Sequence, residues 1–171
     1  LNNTNAGTAN ASYTYAGDAN HNGSSDSQDF TIGKADPTVT VTPYSVTYDG
    51  NTHTATYSIN GVNAETGATV GTINVSGTTH TGAGTYTNDP WTFTGAANYN
   101  NTSGSVNDAI GKASSTTVVT INGAPFTYTG LAQTPATVSV TGAGALSITP
   151  PASYLNNTNA GTANASYTYA G

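Results

Sequence analysis

Apolar and polar positions alternate with a period of two through most of the chain, the spacing of strands with one buried face. Val39 and Val41 alternate with threonines, and Tyr44, Val46 and Tyr48 resume the alternation around Pro43. Tyr57 and Ile59 interleave with Thr56 and Ser58 ahead of an Asn60-Gly61 turn. Val70, Ile73 and Val75 follow, then Trp91 and Phe93, then Val106 and Ile110. Gly, Asn, Asp or Pro ends each run, and these are the residues that tight turns require. Runs of this length, spaced about 8–12 residues apart, fill the stretch 33–110 with about seven strands. No segment carries an i, i+3, i+4 apolar stripe long enough for a helix. One apolar face and one Thr-rich face per strand predict an all-β protein of antiparallel sheets closed on small shared cores. A seven-stranded sandwich fits this count, and a β-grasp-like variant stays open for residues 33–110.

A second pattern is superimposed on the first. Residues Leu1 to Gly17, LNNTNAGTANASYTYAG, return letter for letter as Leu155 to Gly171. Identity over such a length marks a periodic array, and the chain reads as a window on one, with incomplete units at both ends. A weaker repeat lies inside. Ile32-Gly33-Lys34-Ala35 matches Ile110-Gly111-Lys112-Ala113 at about half the long spacing. Two related units follow. Unit A is complete at 33–110; residues 1–32 are the C-terminal part of a unit B, and 111–171 the N-terminal part of the next, also incomplete. Further landmarks align them: Thr47-Tyr48-Asp49-Gly50 with Thr127-Tyr128-Thr129-Gly130, and Trp91-Thr92-Phe93-Thr94-Gly95 with Tyr13-Thr14-Tyr15-Ala16-Gly17. Each core is small enough to be marginally stable alone. The short junctions at Gly33, Lys34, Gly111 and Lys112 predict neighbours that pack into a semi-rigid rod.

Tyr15-Ala16-Gly17-Asp18-Ala19-Asn20-His21-Asn22-Gly23, followed by Phe30-Thr31-Ile32-Gly33-Lys34-Ala35, resembles bacterial immunoglobulin-like repeats. Val46-Thr47-Tyr48-Asp49-Gly50 with Gly82-Ala83-Gly84-Thr85-Tyr86-Thr87 resembles the related YDG-type repeats. The resemblance implies tandem small immunoglobulin-like β-sandwiches in a rod-like array, of the kind found in long secreted and surface proteins, many of them adhesins. Gly84-Thr85-Tyr86 is also similar to a tyrosine corner; unit B has Ala9 at that alignment.

Composition narrows the partners. Charged residues are 6% of the chain, against about 25% in ordinary soluble proteins. The only cations are Lys34 and Lys112, and the net charge is −6. Nucleic acid and anionic lipid both need clustered Lys and Arg, so neither is an expected partner. Disorder is not expected either, because Thr and Val dominate and eleven Tyr, three Phe and one Trp supply bulk. There is no cysteine for disulfides or thiolate sites. No stretch approaches the roughly 18 apolar residues of a membrane helix. Near-absence of Lys and Arg leaves trypsin-like proteases little to cut, which suits an extracellular or cell-surface protein.

Candidate chemistry is sparse. Asp18, Asn20, Asn22, Gly23 and Asp29 follow calcium-loop spacing, although Asp29 replaces the usual Glu and unit A has Ala96 where B has Asp18. An Asn/Gly-rich turn with Asp18 bonded to its own backbone explains the same residues. The two lysines could join an Asn in an isopeptide bond, with Asn107 and Asp108 or Asn88 and Asp89 as partners. A solvated junction lysine is the simpler reading, since a junction is a poor place for a dry amine. His21, His53 and His80 show no ligand-like spacing. His80 and Asp89 could be neighbours, but no nucleophile with an oxyanion loop accompanies them. Trp91 and Phe93 could stack on a sugar, yet alternate with Thr as core residues do. Sequons at Asn10, Asn22, Asn74, Asn100 and Asn101 are expected by chance in a chain so rich in Asn, Ser and Thr. Thr38, Thr40 and Thr42 lack the solenoid period of an ice-binding array.

No enzyme is legible, and no cofactor is expected. The expected function is structural: a repeat segment of an extracellular stalk or filament, with neighbouring repeats as its partners. Two alternatives stay open. One is an adhesive module binding a glycan or partner surface through Asp18–Gly23 and Asn98–Asn101, with exposed aromatics such as Tyr99. The other is a subunit polymerising by strand exchange.

Overall fold

The computed structural model describes residues 3–171. Their regular structure is all-β, thirteen strands with three single 3₁₀ turns at Val62–Ala64, Gly67–Thr69 and Ser76–Thr78. The strands are β1 (Gly7–Tyr15), β2 (Ser24–Ile32), β3 (Thr38–Thr42), β4 (Ser45–Thr47), β5 (Thr56–Asn60), β6 (Gly71–Asn74) and β7 (Gly84–Gly95). They continue with β8 (Thr102–Gly111), β9 (Ser115–Ile121), β10 (Ala136–Gly142), β11 (Leu146–Ile148), β12 (Ser153–Leu155) and β13 (Asn164–Ser166). Several small sheets result: β1–β2, β3–β5, β4–β8–β7–β6, β11–β10–β9 and β12–β13. One pairing is parallel: Ser45, Val46 and Thr47 of β4 run alongside Ala109, Ile110 and Gly111 of β8. A long connection separates those two strands, so no hairpin forces them antiparallel.

Residues gather into two compact units. The first takes the chain up to Tyr44, His53–His80 and Tyr86–Asp108. In β3 the threonines are exposed and Val39 and Val41 half-buried, as period-two patterning requires. The core is Ile59, Val70, Phe93 and Tyr99, with Ala35, Val39, Ile73 and Trp91 packed against it. Tyr99 pins the 61–65 loop to this core. Its hydroxyl donates to Glu65 Oε2 at 2.6 Å and accepts the Val62 N–H at 2.9 Å. Gly61 is obligatory beside it, because the Tyr99 hydroxyl occupies the space a Cβ would need.

The second unit takes Ser45–Thr52, Thr81–Thr85 and Ala109–Gly171. Val138 and Val140 of β10 are buried while Ser139 and Thr141 between them are exposed. A groove of about 320 Å³ opens beside β12 and β13, lined by Ile121, Phe126, Tyr128, Tyr154 and Ala165 among others.

The two identical seventeen-residue copies take different forms. The first supplies the nine-residue β1, paired over its whole length with β2. In the second only Asn164–Ser166 form a strand, paired with β12. Ala9 is buried, whereas its counterpart Ala163 is exposed; Tyr13 is 74% exposed, whereas Tyr167 is half-buried. Strand length here is set by the partner available, not by intrinsic preference.

Candidate functional site

Asp108 sits at an inward position of β8. Val106 is half-buried and Asp108 and Ile110 are buried, while Ser105 and Asn107 point outward. The alternation therefore places a carboxyl where a core side chain belongs; unit B carries Phe30 at the matching place. Only 1% of Asp108 is exposed, and a buried carboxylate is costly unless paired. Its Oδ1 accepts the Tyr44 N–H at 2.9 Å. Its Oδ2 has no hydrogen-bond partner among the described residues. Burial is the largest influence raising its pKa above the ordinary carboxyl value; the Tyr44 N–H opposes it, Asp89 raises it further and His80 lowers it.

Asp89 reaches the same place through an irregularity in β7. Asn88 has a φ of 60°, and its N–H donates to Asn107 Oδ1 at 2.9 Å. Gly84 and Tyr86 face inward before this point, and Asp89, Trp91 and Phe93 after it. A bulge with a left-handed residue shifts strand phase in this way. Pro90 follows without disturbing the ladder to β6, whose pairing with β7 ends at Thr92.

His80 completes the cluster. Its Nε2 lies 2.9 Å from Asp89 Oδ2, with the two side chains only 21% and 13% exposed. Its backbone exchanges hydrogen bonds of 2.9 and 3.0 Å with His53. The Tyr86 ring lies flat on the imidazole, centroids 3.5 Å apart and planes within 1°. Tyr44 lies close by, its hydroxyl donating to the Thr78 carbonyl at 3.2 Å. Burial, then Asp108 and Asp89, hold the Tyr44 pKa above its usual value. One ligand atom each from His80, Asp89 and Asp108 fall within 4.8 Å of one another.

The chain matches no family model, no curated protein and no solved structure.

The calcium-loop residues are placed apart. Asp18 Oδ1 accepts the N–H groups of Asn20 and His21 at 2.8 Å each and meets the His21 ring at 2.9 Å; Oδ2 accepts the Tyr15 hydroxyl at 2.7 Å. The Tyr15 bond first, then those from Asn20 and His21, hold the Asp18 pKa down to about 2. Gly17 turns the chain ahead of it at a φ of 90°. Asp29 lies in β2, where it accepts from the Asn10 side chain at 2.7 Å. Asn20, Asn22 and Gly23 are exposed in the intervening loop.

Gly33, Lys34, Gly111 and Lys112 are all exposed. Lys34 Nζ donates to the Tyr99 carbonyl at 3.3 Å. Of the groups considered as isopeptide partners, Asp89 meets His80, Asp108 accepts the Tyr44 N–H, and Asn107 Oδ1 accepts the Asn88 backbone N–H. Phe93 is buried and Trp91 packs on the core, so neither offers a sugar platform. His80 is sheltered beside Asp89, and the His53–His80 backbone pair joins two histidines that sequence spacing did not associate. Asp108 did leave a signal in the sequence, a charged residue at an apolar phase between Val106 and Ile110.

Proposed function

We propose that this chain is a structural repeat segment of an extracellular stalk or filament, built from tandem immunoglobulin-like β units. One observation carries the reading: Leu1–Gly17 recur without a mismatch as Leu155–Gly171, which is how an array of near-identical units appears when sampled across more than one period. The mechanism is geometric. Stacked units set reach, short junctions around Gly33-Lys34 and Gly111-Lys112 limit flexing, and a surface poor in charge but net acidic keeps the rod soluble. The all-β architecture of small sheets supports this reading. The β1–β2 hairpin exposes Tyr13 and Phe30, and the second unit has an open apolar groove beside the second copy of the same sequence.

The adhesive alternative is weaker in the Asn98–Asn101 loop, because Tyr99 is buried at 1% exposure and bonded to Glu65. Strand exchange stays a second reading, favoured by the same open hairpin face. Electron microscopy of the native protein tests the proposal: thin rods whose length scales with repeat number are expected, and compact particles would contradict it.

A further inference from the structure

The geometry points to a divalent metal site in the first unit, made by His80 Nε2, a carboxylate oxygen of Asp89 and Asp108 Oδ2, for a borderline ion of the zinc class. Two carboxyl groups brought together in a sheltered site repel one another when both are ionised, and a positive charge between them removes that cost. His80 and Asp89 already face each other at 2.9 Å. The deeper carboxyl supplies the deciding detail. Asp108 is 1% exposed, Oδ1 is held by the Tyr44 N–H, and Oδ2 has no partner among the described residues. A polar atom buried without a partner calls for an explanation, and an ion is one of the few that also uses its neighbours.

The donor set selects the class of ion. One imidazole nitrogen and two carboxylate oxygens suit zinc or a similar transition ion, whereas calcium takes six to eight oxygens. Three protein donors leave a position for water, reached from the His80 and Asp89 side, where those side chains keep their residual exposure. The donors are held from behind. Tyr86 fixes the imidazole plane, the His53 pairing fixes the His80 backbone, and the Tyr44 N–H orients the Asp108 carboxyl. Such supporting contacts are what give a metal site its affinity. The three ligands come from β7, β8 and the segment before β7, so a bound ion would clip together parts of the unit distant in sequence.

The test is titration of the metal-free 171-residue chain with zinc chloride by calorimetry, in parallel with calcium and magnesium chloride, with melting curves before and after chelation. One zinc per chain is expected, with a raised melting temperature that a chelator reverses and no comparable effect of calcium or magnesium. Asp108→Asn keeps the acceptor for Tyr44 and so preserves the fold; it should weaken zinc binding at least about tenfold, as should Asp89→Asn. His21→Ala, at the exposed Asp18 turn, should leave binding unchanged. In the unsubstituted chain, nuclear magnetic resonance should show the His80 ring shifting on zinc addition, which guards against a variant that fails to fold. Absence of stoichiometric zinc binding, binding lost in His21→Ala, or binding unaffected by Asp108→Asn in a folded variant would overturn the assignment.

Discussion

Tyr99 shows how much of the first unit depends on single polar atoms. Its ring belongs to the apolar core, while its hydroxyl serves both Glu65 and the Val62 N–H. Tyr99→Phe keeps the ring and removes both bonds, so urea unfolding should show a loss of about 1–3 kcal/mol. Donation to Glu65, then burial, raises the Tyr99 pKa. The stabilisation is therefore complete below the ordinary tyrosine pKa of about 10 and is lost as pH rises through the elevated folded value. The difference between wild type and Tyr99→Phe should shrink only at strongly alkaline pH; a difference that vanished near neutrality would refute the assignment. Asp108 shows where reading from sequence stops. Its charge at an apolar phase is visible, but its neighbours are not. They depend on the left-handed conformation of Asn88, which turns Asp89 inward, and on a backbone pair between two loops that brings His80 near.

Among the elements, strand identity was legible where alternation was strict and partners were near in sequence. In β3 the half-buried Val39 and Val41 alternate with exposed threonines as the pattern requires, whereas β5 buries Ile59 but leaves Tyr57 exposed, and β7 changes phase at Asn88. The parallel β4–β8 pairing was not legible, since nothing in a three-residue strand states its direction. The duplicated seventeen residues make the same point. One sequence gives a nine-residue strand beside β2 and a three-residue strand without it. Copying residues 18–32 after Gly171 should therefore extend β13 to the length of β1 and cover the groove near Phe126 and Tyr128. The expected result is a higher melting temperature and less binding of an apolar dye. An extended chain with unchanged melting and unchanged dye binding would show that the partner strand is not what the second copy lacks.

At the scale of the whole molecule, cores as small as these would leave each unit marginal alone, and the proposed array would let neighbours share stability. Repetition was legible in the letters themselves, and so was the all-β class. Physical grouping was less legible, because the compact units interleave three stretches of chain each, and such long-range pairing leaves no local trace. The proposed array is one long covalent chain. The measurement that tests it most directly is the denatured mass of the native protein, by mass spectrometry or a denaturing gel. The account predicts a value many times the 17.1 kDa of this chain. A value near 17.1 kDa would contradict it and leave separate subunits, joined by strand exchange through the first seventeen residues, as the explanation of the repeat.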